Sequence, residues 1–238
     1  MKRIIFASLS LLSICLTSCD DGLIYNEVAY NTVGRSAKLE GKITGLGNWA
    51  EGYTIAVAGF TGDDDYASIS KAVQTDSEGN ATVIMTNIPD EVTSVQLCVL
   101  DRLRRHVMTF YEADIEGVRD TIRMEVGTVD ASMFNAIQQS YLTTTCANCH
   151  GASNRIAAGL NLTEGNAYQA MVGVDSKKVD GKKIVDPNDS ENSVLHMVLH
   201  QESVEGIGMN HFDLVSEKNA QSILPLIDSW INNGAIEK

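Results

Sequence analysis

The chain has 238 residues, 44% of them hydrophobic, which excludes a disordered polymer and suffices for one large domain or two small ones. Eighteen basic against 31 acidic residues give a formal charge of −13, which argues against a surface that gathers nucleic acid by neutralising phosphates. Five cysteines and three prolines are too few for a disulfide-dense scaffold or a low-complexity tract.

Lys2 and Arg3 precede a mostly apolar run from Ile4 to Leu16, the arrangement of an export signal. That run of about 13 residues, at roughly 1.5 Å each, falls short of a hydrocarbon core of about 30 Å. It ends in Leu16, Thr17, Ser18 and Cys19, which resembles the lipobox of bacterial lipoproteins. The resemblance implies a signal over residues 1–19 and an acylated Cys19. The mature chain is then lipid-anchored to a membrane of the bacterial cell envelope, at the periplasmic face or the cell surface. An ordinary signal peptide or an uncleaved anchor is the rival reading. Residues 20–35 read as a linker.

From residue 36 onward the period is that of strands. Ala37, Leu39 and Ile43 alternate with Lys38, Glu40, Lys42 and Thr44, and Tyr53 to Phe60 is a continuous apolar run suited to a central strand. Residues 69–75 and 81–88 flank the turn cluster Asp76, Ser77, Glu78, Gly79 and Asn80. Residues 93–100, 104–111 and 121–128 complete a set of about seven, which predicts an antiparallel, immunoglobulin-like β-sandwich over residues 36–129. Cys98 reads as a buried, inert thiol and His106 as a surface residue.

After Asp130 the period becomes helical. Phe134, Ile137 and Tyr141 recur behind Asp130 or Ser132 as a cap, and Val194, Leu195, Met197, Val198 and Leu199 mark a second helix. The last helix has Ser216 as its cap, an apolar stripe of Ala220, Ile223, Leu224, Ile227, Trp230 and Ile231, and Gly234 to end it, with Pro225 in conflict.

Cys146, Ala147, Asn148, Cys149 and His150 spell the attachment pattern of c-type haem, C-x-x-C-H. On a helical turn positions i, i+3 and i+4 share a face, so two thiols meet the vinyl groups of one porphyrin while the imidazole reaches its iron. A zinc site would need two more ligands, and no second cysteine pair exists, although His196 and His200 have H-x-x-x-H spacing. A thioredoxin-like dithiol would follow a strand, and a disulfide would leave His150 idle.

Residues 134–235 resemble the class I cytochrome c family, in particular the planctomycete-type cytochrome c domain. The resemblance rests on CANCH with Gly151, on Gly159, Leu160, Asn161 and Leu162, on residues 185–193, and on Met209 to Ser216 leading into Trp230, Ile231, Asn232, Asn233, Gly234 and Ala235. It implies an all-α cytochrome c fold over residues 130–238, one covalent haem c on Cys146 and Cys149, and iron ligated by His150 and Met209. The chain departs from the family at Asn210, where the family has proline, and at Asn188, where it has glycine; His211 and His200 therefore remain rivals to Met209. Leu160, Leu162, Ile223 and Trp230 are candidate walls of the haem crevice. Lys177, Lys178, Lys182 and Lys183 form a basic turn that either is merely solvated, faces a redox partner, or approaches the haem propionates.

The expected fold class is thus α+β in two domains. A single haem with both axial positions filled has no open site for substrate, so the expected function is transfer of single electrons between redox proteins rather than catalysis. The alternatives are a binding or assembly lipoprotein whose sandwich recognises a partner, and a haem-based sensor whose axial ligand leaves.

Overall fold

Period-two patterning in the first half produces seven strands: β1 (Arg35–Thr44), β2 (Thr54–Phe60), β3 (Ile69–Ala72), β4 (Asn80–Ile88), β5 (Ser94–Leu100), β6 (His106–Ala113) and β7 (Thr121–Asp130). The structure, a computed structural model, describes residues 34–152 and 155–238. The signal segment and Cys19 lie outside the described residues.

The strands form a three-stranded sheet ordered β4-β1-β7 and a four-stranded sheet ordered β3-β2-β5-β6. Leu39, Val83 and Met124 of the first sheet meet Val57, Val95 and Leu97 of the second in one buried cluster. Strand β2 is buried on both faces, because Ala56, Ala58 and Phe60 pack with Ala67, Cys98 and Leu100 on the outer side. Two buried faces explain its unbroken apolar run.

One expectation for this half is overturned. The arrangement is not wholly antiparallel, since β1 pairs antiparallel with β4 but parallel with β7, from Ser36 opposite Thr121 to Thr44 opposite Asp130. Strand β6 belongs to the other sheet. The chain therefore crosses the core before β7 and enters beside β1 in the same direction. Alternation in sequence reports which face is buried, not strand direction.

The expectation of an all-α cytochrome c fold for residues 130–238 is also overturned. Apart from a π-helical stretch over Gln138–Cys146 and two 3-10 turns, helix is confined to α1 (Met133–Ile137), α2 (Ala147–His150), α3 (Ala167–Met171), α4 (Val194–His200) and α5 (Glu217–Asn232), of which only α5 exceeds two turns. A short antiparallel pair, β8 (Gly151–Ala152) with β9 (Arg155–Ile156), follows α2, and further bridges join Val172 to Val185 and Asp175 to Lys183. Many of the connecting glycines adopt positive φ, from Gly159 and Gly165 to Gly173 and Gly181, which ends helices and turns the chain. Among the described residues, no helix is long and apolar enough to cross a membrane.

Helix α5 is the best-formed of these. The Ser216 hydroxyl caps it by accepting from the Asn219 amide at 3.2 Å, and Ile223, Leu224, Leu226, Ile227, Trp230 and Ile231 are buried. Pro225 lies on its exposed side and does not end it. At the C-terminus the Gly234 amide donates to the Ile231 carbonyl and Ala235 to that of Trp230, the paired bonds of a Schellman cap, with Gly234 at φ +91°.

The two halves share a core. Val99, Val107 and Met108 of β5 and β6 cluster with Phe134 and Ile137 of α1 and with Ile223, Ile227 and Trp230 of α5. The Trp49 indole donates to the Ala131 carbonyl at 2.8 Å, and the Asn48 amide group to that of Lys238 at 2.7 Å. Gly45 makes the join with φ +80°; a β-carbon there would lie 2.5 Å from the Ser132 nitrogen.

Candidate functional site

Helix α1, capped by Ser132, runs into a π-helical stretch over Gln138–Cys146 before α2 begins. Such wide turns are rare and usually brief. Hydroxyl side chains in it bond back to the main chain, Ser140 to the Ala136 carbonyl at 2.6 Å and Thr144 to that of Ser140 at 2.9 Å. The widened winding lets Tyr141 and Leu142 both be fully buried. It delivers Cys146 at its end, with Cys149 and His150 on α2.

Cys146 and Cys149 are free thiols, the first partly buried and the second exposed. Burial, reinforced by the neighbouring Cys149, pushes the Cys146 thiol up to about 12. The His150 Nδ1 lies 3.0 Å from the Ala157 carbonyl oxygen. A carbonyl only accepts, so Nδ1 carries a proton in this contact. Burial lowers the His150 pKa most, the Ala157 bond opposes it, and proximity of His211 lowers it further. The imidazole is thereby favoured in its neutral, ligating form.

These three side chains face a cavity of about 530 Å3. Its walls are mainly apolar, with Leu160, Leu162, Met171, Leu195 and Leu199 among them, and Lys177 and Lys178 stand at its edge. The volume falls in the range of about 300–1,000 Å3 usual for cofactor pockets. The basic turn expected near residues 177–183 thus contributes two of its four lysines to this cavity.

Met209 and His211 also line the cavity. Met209 is 48% exposed. The His211 ring stands over against His150 with centres 6.2 Å apart and planes at 25°, and its Nδ1 lies 3.0 Å from the Met209 carbonyl oxygen. Asn210, in the place of the family's proline, closes this turn by accepting from the Phe212 amide at 2.9 Å. Asn188, in the place of glycine, has φ +71°, a conformation asparagine tolerates better than other side chains.

Two expected wall residues are elsewhere. Trp230 packs on Phe134 with centres 5.3 Å apart and donates to the Ile236 carbonyl, and Ile223 lies in the shared core, so neither lines the cavity. Both sit on the buried stripe of α5. Met171, Leu195 and Leu199 do line the cavity, a role that helical spacing alone does not distinguish from a packed face. His106 is half-buried rather than superficial, held by Thr109 at 2.7 Å against Gln96.

The donor set separates a small ion from a large group. Among the described residues, the one group of three or more His, Cys, Asp or Glu with ligand atoms within 4.8 Å of one another is His196, His200 and Asp228. Cys146, Cys149 and His150 are therefore spread too widely for one ion with bonds of about 2 Å, whereas a porphyrin needs its thiols and imidazole apart. Apolar walls with two ammonium groups at the edge also suit a flat apolar ring with an acidic margin. No family model, curated protein or solved structure matches the chain.

Proposed function

We propose that the chain carries one covalently attached haem c, with Cys146 and Cys149 as attachment thiols and His150 as an axial ligand, and passes single electrons between redox proteins. One observation carries this reading: two free thiols and an imidazole anchored by the Ala157 carbonyl face a single apolar cavity of about 530 Å3. Haem, when bound, supplies a one-electron iron couple. The chain's own contribution is to hold the imidazole by the Ala157 carbonyl and to exclude water with Leu160, Leu162, Met171 and Leu195. Lys177 and Lys178 offset acidic charge at the cavity edge. Lipid on Cys19 tethers the protein to an envelope membrane.

His211, whose ring stands 6.2 Å from that of His150 in the wall of the same cavity, would hold the other side of the iron in preference to Met209. With both positions filled from the protein, a carrier is favoured over a gas sensor.

Expression with a c-type maturation system, followed by denaturing electrophoresis stained for haem, tests the reading. Wild type is expected to stain and the Cys146→Ala/Cys149→Ala variant not to. A correctly processed wild type that is colourless and has the mass of its polypeptide and acyl chains alone would overturn it.

A further inference from the structure

Away from the cavity, α4 and α5 bring together a second set of metal-ligating side chains. His196 and His200 lie one turn apart on α4, and their rings stack with centres 4.1 Å apart and planes at 22°. Both face Asp228 of α5. The His196 Nδ1 is 2.8 Å from Asp228 Oδ1, and the His200 Nε2 is 3.1 Å from Asp228 Oδ2. The three side chains keep 19%, 34% and 23% of their surface exposed, so solvent and ions reach them.

We propose that His196, His200 and Asp228 bind one divalent transition ion of zinc's borderline class. Two imidazoles and one carboxylate are a recurrent ligand set for such ions, with water completing a tetrahedron, whereas calcium and magnesium select oxygen. Ligands of a tetrahedral ion with bonds of about 2.0–2.1 Å stand about 3.3–3.4 Å apart. The two nitrogen–oxygen distances, each to a different oxygen of Asp228, fall a few tenths of an ångström below that spacing, and the ligand atoms all lie within 4.8 Å of one another. An ion would replace the shared protons and draw the three side chains onto one centre. One carboxylate serving two stacked imidazoles is also a weak clamp while only protons join them, and an ion makes it a strong one.

The placement gives the ion a consequence. Leu195, Val198 and Leu199 of the same helix line the cavity that faces Cys146, Cys149 and His150. An ion at the His/Asp clamp pins α4 to α5 and so fixes one wall of that cavity. The site stands on its own residues, so it holds whether or not the cavity carries haem.

Calorimetric titration of the full chain with zinc alone tests this. The expected result is one ion per chain and a rise in unfolding temperature with added zinc. Binding is expected to weaken more than about a hundredfold in His196→Ala and in Asp228→Asn, and to be unchanged in Cys146→Ser/Cys149→Ser. Zinc absorption spectra of wild type are expected to show nitrogen and oxygen ligands only, a readout that does not depend on any variant folding. Absence of one-to-one binding, sulfur in the zinc shell, loss of binding with the cysteines, or folded clamp variants that bind as wild type would each overturn the proposal.

Discussion

Gly206 is pressed against the Lys178 carbonyl so closely that a β-carbon at Gly206 would lie 1.9 Å from that oxygen, and its φ is +85°. The contact ties the loop after α4 to the basic turn, and both residues line the cavity. Gly206→Ala is expected to force the two segments apart, with a strain of about 1–3 kcal/mol or more. Chemical denaturation should show a lower midpoint, and haem stain per chain should fall. Gly208→Ala is the control, since a β-carbon there meets nothing within 4 Å.

The facing pair His150 and His211 leads to a spectroscopic outcome. The oxidised wild type is expected to lack the weak long-wavelength band of an iron–sulfur bond and to ignore carbon monoxide when reduced. His211→Ala should open the iron to carbon monoxide, while Met209→Ala should leave the absorption spectrum unchanged. A long-wavelength band lost in Met209→Ala would assign the second position to Met209.

Thiol chemistry should rank the described cysteines by burial. Cys98 is fully buried between β2 and β6, and that burial pushes its thiol up to about 12, whereas Cys149 is exposed. In protein made without haem maturation, a thiol reagent is expected to modify Cys149 first, Cys146 more slowly, and Cys98 only after unfolding. Mass spectrometry of timed samples reads the order, and early labelling of Cys98 would contradict the buried position.

Stability should fall on acidification through His106. Burial is the main cause lowering its pKa from 6.5, Lys218 adds to it, and Asp65 and Glu112 oppose it. The unfolded state therefore binds more protons than the folded state around and below pH 6.5. The contribution is complete above the unfolded value and is lost as pH falls through 6.5 toward the lower folded value. Urea midpoints between about pH 5 and 8 should show a shallower slope for His106→Gln than for wild type.

Trp230 lies in the shared core and is 1% exposed. Trp230→Ala is expected to cost about 3–5 kcal/mol of unfolding free energy. Trp230→Phe keeps most of the packing but removes the indole bond to the Ile236 carbonyl, at about 0.5–1.5 kcal/mol. Urea unfolding followed by circular dichroism checks both.

Much of the chain's local structure was legible without coordinates. The alternation through Ala37, Leu39 and Ile43 marks the buried face of β1, and Ser216 with Gly234 brackets α5. Such features depend on residues a few positions apart, where backbone geometry is fixed by nearest neighbours. The thiol and imidazole positions were legible for the same reason, since a five-residue motif is a local pattern.

Direction and distance were not. Nothing in the period of β7 says that it lies parallel to β1, because pleat alternation is the same for either direction. The π-helical winding before Cys146, in which Ser140 and Thr144 bond back to the main chain, is not registered by single-residue propensities. Composition and spacing by themselves determined the strand faces, the caps of α5 and the C-x-x-C-H spacing of Cys146, Cys149 and His150. Only the folded chain decided that His211 faces His150, that Trp230 belongs to the core, and that Asp228 meets His196 and His200. Those pairings join residues 28 or more positions apart, and long-range approach is set by how whole faces bury against one another rather than by any local preference.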